Sequence, residues 1–149
     1  LPIERLGLLE PPLQDDGAQT PDALTRELGE LIGAGRNGDA AEHFYQSIGV
    51  PANFVASMRS TPEWAKMESS AHTLVYDCII SDTTTPAILS SVHVPSLVID
   101  STGSSDDLTG WAATVARRLP RASHRSLAGE WHGVPDDVLA PVLIEFFRG

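Results

Sequence analysis

The sequence predicts an α/β fold with parallel strands and an inserted block of helices. Three observations support this prediction: the chain opens on a short apolar segment that ends at two prolines, its middle has apolar residues at helical spacing, and its last third alternates strand, helix, strand and helix. Strands that are joined through helices run parallel, with right-handed crossovers. We therefore divide the chain into a core strand with a Glu-Pro-Pro turn (1–13), a helical insertion (14–91) and a C-terminal core (92–149).

The opening segment predicts a strand over residues 4–10. Its apolar side chains at positions 3, 6, 8 and 9 precede Pro11 and Pro12, which cannot continue a sheet ladder. A short apolar run bounded by prolines is typical of a central parallel strand. Because a native chain seldom starts inside such an element, we expect a longer protein to supply preceding residues; a small protein processed at this point is the alternative.

The middle of the chain predicts four helices and a further helical turn. Thr20 and Pro21 provide a capping hydroxyl and a proline at the first helical position, and Thr61 and Pro62 repeat this signal. Apolar residues recur at helical spacing in the segments 21–32, 37–48, 51–58 and 61–79, and the turn follows at 86–90. The end of the fourth segment, from Leu74 onward, is β-branched enough to be extended instead.

The last third predicts two strands and two helices. Residues 94–100 form an apolar strand, and an apolar stripe over 108–119 indicates a helix that Ser105 or Asp106 could cap. A short strand over 122–127 leads into the turn Ala-Gly-Glu-Trp-His-Gly, and a final helix carries apolar residues from 138 to 147. Together with the opening strand, these segments predict one parallel sheet.

Composition excludes several classes of protein. With 149 residues and 42% hydrophobic side chains, the chain is one ordinary domain. Ten basic against 20 acidic residues give a net charge of -10, which repels phosphate backbones, so no nucleic-acid partner is expected. No apolar run approaches the roughly 18 residues of a membrane span, so no membrane partner is expected. One cysteine, Cys78, and five scattered histidines indicate a reducing compartment, the cytoplasm, with no metal and no cofactor.

Three ionisable side chains follow predicted strand ends. Glu10 comes directly after the first strand, Asp106 follows the second and His132 follows the third. In a parallel sheet the carboxyl ends of neighbouring strands lie at one edge, where ligands bind. A histidine that acts as a general base needs a carboxylate to hold its far nitrogen in the right tautomer. The sequence therefore predicts a catalytic His132 paired with Glu10 or Asp106.

The order of these motifs resembles the closing part of an α/β-hydrolase. The resemblance is carried by the segments Val94-Pro-Ser-Leu-Val-Ile, Gly103-Ser-Ser-Asp106, Ala116-Arg-Arg-Leu-Pro and Leu127-Ala-Gly-Glu-Trp-His132. It implies that His132 is the base, that Asp106 is the acid in a G-x-x-D turn, and that the helical insertion is a lid. The opening Leu-Leu-Glu-Pro-Pro resembles the sixth strand of that fold, where some members place their acid, which implies Glu10 instead. Because the turn before Asp106 is two residues longer than usual, Asp106, Asp107 and Glu10 all stay candidates.

The nucleophile of that family is missing from these residues. No G-x-S-x-G elbow, and no equivalent centred on Asp or Cys, occurs in the sequence. The resemblance places the elbow upstream of the sixth strand, so the expected partner is a missing N-terminal half of the fold or a second chain. The implied reaction is attack by this nucleophile on a small, largely apolar ester, and this segment alone is expected to be inactive. The alternatives are an epoxide or haloalkane hydrolase with an Asp nucleophile and a non-catalytic ligand-binding protein on the same scaffold.

Four large side chains are further candidates for lining a substrate cavity. Trp64, Met67 and Tyr45 lie on the predicted lid helices, and Trp131 precedes His132. Large apolar residues at helical spacing more often belong to a core, so both interpretations stay open for the three on the lid helices.

Overall fold

Parallel strands and connecting helices make up the fold, as the sequence predicts. The computed structural model describes residues 2–13 and 23–149. Within these ranges the strands are β1 (Leu6–Leu9), β2 (Ser96–Ser101) and β3 (Ala122–Leu127). The helices there are α1 (Ala23–Gly33), α2 (Asn37–Ser47), α3 (Ala52–Arg59), α4 (Trp64–Ser70), α5 (His72–Thr83), α6 (Pro86–Ser90), α7 (Asp106–Arg118) and α8 (Asp136–Arg148). Thr20 and Pro21, the predicted start of the first helix, lie outside the described residues.

The sheet has the order β1-β2-β3, and both strand pairs are parallel. Leu6 lies opposite Ser96, which in turn lies opposite Ala122. Every residue of the central strand β2 is buried, both the apolar run Leu97–Ile99 and the polar residues that flank it. The pairing brings the carboxyl ends of all three strands to one edge, where the segments after Leu9, Ser101 and Leu127 meet.

Helices pack on both faces of this sheet. On one face, Val98 of β2 lies in a cluster of buried apolar residues with Ala112 and Val115 of α7. On the other face, the ring of Phe147 in α8 packs against Gly7 of β1. A Cβ at position 7 would lie only 3.4 Å from that ring. These contacts fix β1 and β2 in place, and with them the turns that follow the two strands.

The chain divides into two compact units, each with a core of its own. The first unit comprises Leu1–Gly17 and Thr84–Gly149 and contains the sheet; the second comprises Ala18–Thr83 and contains α1 to α5. The core of the helical unit is a cluster of four buried residues: Ala41, Val55, Trp64 and Ala71. A hydrogen bond of 2.6 Å from the Thr25 hydroxyl to the buried Asp82 carboxylate joins α1 to α5.

The predicted helix over 61–79 differs from the structure in two ways. It forms two helices, α4 and α5, which are separated by Ala71, and the second helix continues to Thr83. The alternative of an extended segment from Leu74 onward is wrong, because these β-branched residues are helical. None of the helices within the described ranges is long and apolar enough to cross a membrane.

Candidate active site

The site is built around Glu10, which directly follows β1. Its backbone N–H still donates to Ile99 O at 2.8 Å, so Glu10 is held at the end of the sheet, and its φ of 43° then turns the chain away. Left-handed backbone is unusual for a residue that is not glycine. The Glu10 side chain is completely buried, which is rare for a glutamate and requires compensating contacts.

Four contacts surround the Glu10 carboxylate. Oε1 accepts hydrogen bonds from the Ser101 backbone N–H at 2.8 Å and from the Ser104 hydroxyl at 2.6 Å. Oε2 accepts from the His132 backbone N–H at 2.7 Å and lies 3.0 Å from Nδ1 of the same residue. Burial by itself raises the pKa of Glu10, but the hydrogen bonds from Ser104, Ser101 and His132 outweigh it and hold the pKa below its usual value. The site therefore stabilises an ionised carboxylate.

His132 lies in a tight turn after β3. Trp131 and His132 both have left-handed backbone, with φ of 51° and 60°, and their two N–H groups donate to the Ser104 hydroxyl and to the Glu10 carboxylate. These hydrogen bonds offset the strain of two successive left-handed residues. The His132 side chain is 53% exposed, so one edge of the ring is anchored by a buried acid while the rest remains accessible.

This contact selects one tautomer of the imidazole. A carboxylate beside Nδ1 favours a proton on that nitrogen, which leaves the lone pair on Nε2. Such a ring can accept a proton at Nε2, and the neighbouring negative charge stabilises the imidazolium that results. The chemistry that the pair supports is therefore general-base catalysis.

Glycines allow the two turns at this edge to approach each other. The turn after β2 donates from Gly103 N–H to Gly129 O at 2.8 Å, and a Cβ on Gly103 would lie only 2.9 Å from that oxygen. Gly129 has a φ of 155°, and a Cβ there would lie 2.7 Å from Gly133 O. A side chain at Gly103 would separate the turns that carry Ser104 and His132, and one at Gly129 would distort the turn that carries His132.

Of the predicted acids, the structure brings Glu10 and not Asp106 to His132. Asp106 and Asp107 are exposed residues of the first turn of α7, and the cap of that helix is Ser105, whose hydroxyl accepts from Leu108 N–H. Sequence reasoning did not single out Ser101 or Ser104 as contacts of the acid. The only signal for Ser104 was its place in the turn after a strand, and serine is common in turns for other reasons.

The four predicted lining residues have different environments. Trp64 is 5% exposed in the core of the helical unit, and Met67 and Tyr45 pack against that core, with the Tyr45 hydroxyl 3.8 Å from Met67 Sδ. Trp131, in the sheet unit, is 58% exposed beside His132. Contact with a substrate stays a prediction for all four.

A second histidine and carboxylate pair lies within the sheet. Nε2 of His124 on β3 is 2.6 Å from Oδ2 of Asp100 on β2, and Asp100 is buried. Oδ1 of Asp100 is buried and has no hydrogen-bond partner among the residues that the structure describes. Across the described ranges there is no group of three His, Cys, Asp or Glu side chains placed to hold a metal ion.

Comparison with known proteins gives matches among solved structures. No protein-family model matches the chain, and no curated protein matches it. It is similar to an α/β hydrolase from Sphaerobacter thermophilus, with 38% identity and a TM-score of 0.77, over 99% of this chain and 59% of that chain. In fold it is also similar to a hydrolase from Oleispira antarctica, with 18% identity and a TM-score of 0.59, over 98% of this chain and 56% of that chain. The chain thus spans little more than half the length of either protein.

Proposed function

Because this chain belongs to the α/β-hydrolase fold family, we propose that it carries the base and the acid of a hydrolase, and that these are His132 and Glu10. The observation that supports this assignment most directly is the 3.0 Å contact between His132 Nδ1 and Glu10 Oε2. A fully buried carboxylate held by several hydrogen bonds is suited to orient an imidazole, because its own position and charge are fixed.

The proposed reaction is hydrolysis of a small, largely apolar ester in two steps. Nε2 of His132 takes the proton of a nucleophilic hydroxyl as that oxygen bonds to the acyl carbon, and the proton then goes to the departing alcohol. In the second step Nε2 takes a proton from water, the new hydroxyl attacks the acyl group, and the nucleophile regains its proton. Glu10 stabilises the imidazolium in both steps and keeps its own charge.

The nucleophile of this reaction is supplied by a segment outside these 149 residues. The sequence contains no nucleophile elbow, and the Sphaerobacter hydrolase has residues beyond the 59% that this chain covers. We assign the role to a serine in an upstream part of the same polypeptide or in a second chain. The 149-residue chain alone is then expected to give no ester turnover, and turnover by it would contradict this source of the nucleophile.

The test is turnover of p-nitrophenyl acetate and butyrate by the protein that includes its nucleophile segment. We expect His132→Ala to lower kcat by at least about 10³-fold, because the proton acceptor is removed. His93→Ala is the matched control, since His93 is an exposed histidine of the same unit, and it should retain wild-type kcat. Full activity of His132→Ala would refute the proposed base.

The same variant distinguishes an Asp nucleophile from a serine. An aspartate attacks an epoxide or haloalkane without a base and needs the histidine only to activate water in the second step. His132→Ala would then accumulate a covalent alkyl ester that intact-protein mass spectrometry detects. If the wild-type protein binds esters, epoxides or haloalkanes but turns none of them over, the result would instead support a non-catalytic ligand-binding protein on the same scaffold.

A further inference from the structure

We propose that Ser104 is a positioning residue of this site: its hydroxyl joins the acid to the histidine turn and keeps both in the arrangement that catalysis requires. The inference rests on the proposed function of Glu10 and His132. Ser104 does not touch the reacting atoms in this assignment; it acts through the two residues that do.

The hydroxyl of Ser104 both donates and accepts a hydrogen bond. It donates to Glu10 Oε1 at 2.6 Å and accepts from the Trp131 backbone N–H at 2.8 Å. A hydroxyl has one donor and two acceptor positions, so both bonds can form at once. Ser104 therefore connects the turn after β2 to the acid after β1 and to the turn after β3.

The backbone around Ser104 places this hydroxyl accurately. Thr102 N–H donates to Leu127 O at 2.8 Å and Gly103 N–H donates to Gly129 O at 2.8 Å, so the two turns run side by side. The bond from Trp131 N–H to the Ser104 hydroxyl is the next contact along these turns and the first that uses a side chain. Since the backbone bonds would survive a change at Ser104, loss of its hydroxyl removes only the contacts with Glu10 and with the Trp131 N–H.

Without the hydroxyl, two effects on the site are expected. The bonds to Ser101 N–H and to His132 would still hold the Glu10 carboxylate, but its charge would be less well compensated in a buried position. The N–H of Trp131 would lose its acceptor, and the left-handed backbone at Trp131 and His132 would lose one of its two restraints. Both effects reduce the fraction of molecules in which the imidazole is correctly oriented.

The experiment compares Ser104→Ala, Ser104→Thr and Ser105→Ala in the protein that includes its nucleophile segment. We expect Ser104→Ala to lower kcat by about 10-fold to 100-fold with little change in KM, as for a lost hydrogen bond to a charged group. Ser104→Thr keeps the hydroxyl and should restore most of the activity. Ser105→Ala removes the neighbouring hydroxyl, which caps α7, and should keep wild-type kcat even where it lowers the Tm.

A second readout does not depend on turnover. In protein labelled with ¹³C at the glutamate side chains, Ser104→Ala should raise the pKa of Glu10, because one of the bonds that lower it is gone. Ser105→Ala should leave that titration unchanged. Wild-type kcat and an unchanged Glu10 titration in Ser104→Ala would overturn the role of Ser104. If instead the wild-type protein has no turnover and the Glu10 titration moves as expected, the proposed function fails while the link between Ser104 and the acid is upheld.

Discussion

Replacing the Glu10 carboxylate by an amide of the same shape is a direct test of the acid. Both carboxylate oxygens face donors: Oε1 accepts from Ser101 N–H and the Ser104 hydroxyl, and Oε2 accepts from His132 N–H and faces Nδ1. A glutamine side chain has one acceptor oxygen and an NH₂ group that only donates. In either orientation of the amide, Glu10→Gln leaves at least one donor facing another donor.

The two orientations predict a loss of both stability and activity. With the NH₂ group toward His132, the partly buried backbone N–H of His132 loses its acceptor. The ring can then keep a bond at Nδ1 only in the tautomer that carries its proton on Nε2, and that tautomer cannot act as the base. With the NH₂ group toward Ser101, the N–H of that residue loses its acceptor. A buried donor left unpaired costs about 1–3 kcal/mol, so we expect a drop of about 1–3 kcal/mol in the free energy of unfolding. The wrong tautomer lowers kcat by about 10³-fold to 10⁴-fold.

Ester turnover and urea unfolding measure the two effects, and Asp106→Asn is the matched control. It makes the same carboxylate-to-amide change at an exposed residue of α7, which is the other acid predicted from the sequence. We expect Asp106→Asn to retain kcat within about 3-fold, with a stability change below about 1 kcal/mol from the helix dipole. A larger loss of kcat in Asp106→Asn than in Glu10→Gln would refute the assignment of Glu10 as the acid.

Three further predictions concern the charge of Glu10, the glycine at position 103 and the pair of His124 with Asp100. In the folded chain the pKa of Glu10 lies below its usual 4.5 despite burial, so the contribution of its charge to stability is complete above about pH 4.5 and is lost as the pH falls through the lowered pKa. The free energy of unfolding, measured with urea from about pH 6 to about pH 3, should therefore fall more for the wild type than for Glu10→Gln. Equal losses in the two proteins would contradict this. Gly103→Ala places a Cβ 2.9 Å from a backbone oxygen of the facing turn and should lower both Tm and kcat. Gly110→Ala, where a Cβ in α7 meets open space, should instead raise the free energy of unfolding by about 0.5–1 kcal/mol. Equal changes in stability in the two variants would refute the close approach of the turns. His124→Ala leaves the Asp100 carboxylate buried without the histidine and should lower the free energy of unfolding in urea by about 1–3 kcal/mol. In the double variant with Asp100→Ala, the loss should be smaller than the sum of the losses in the two single variants. Additive losses would contradict the pairing.

The sequence by itself determined the fold class and the neighbourhood of the site. The apolar run of β2 and the alternation of strands and helices in the last third predict a parallel sheet because a strand buried on both faces must be covered by helices. The rule that strand ends share one edge then places Glu10, Asp106 and His132 in the same region. These conclusions depend on local patterns and on the order of the segments along the chain, which is why they can be predicted without coordinates.

Only the tertiary structure decided which acid meets the histidine. Glu10 is 122 residues from His132 along the chain, and the two meet because both β1 and β3 pair with β2 and because left-handed backbone at both residues turns them toward each other. Asp106 has the motif of the acid, but it is the exposed first residue of α7. The contacts of the Ser104 hydroxyl could not be predicted for the same physical reason, since they form only where two turns approach to within hydrogen-bonding distance.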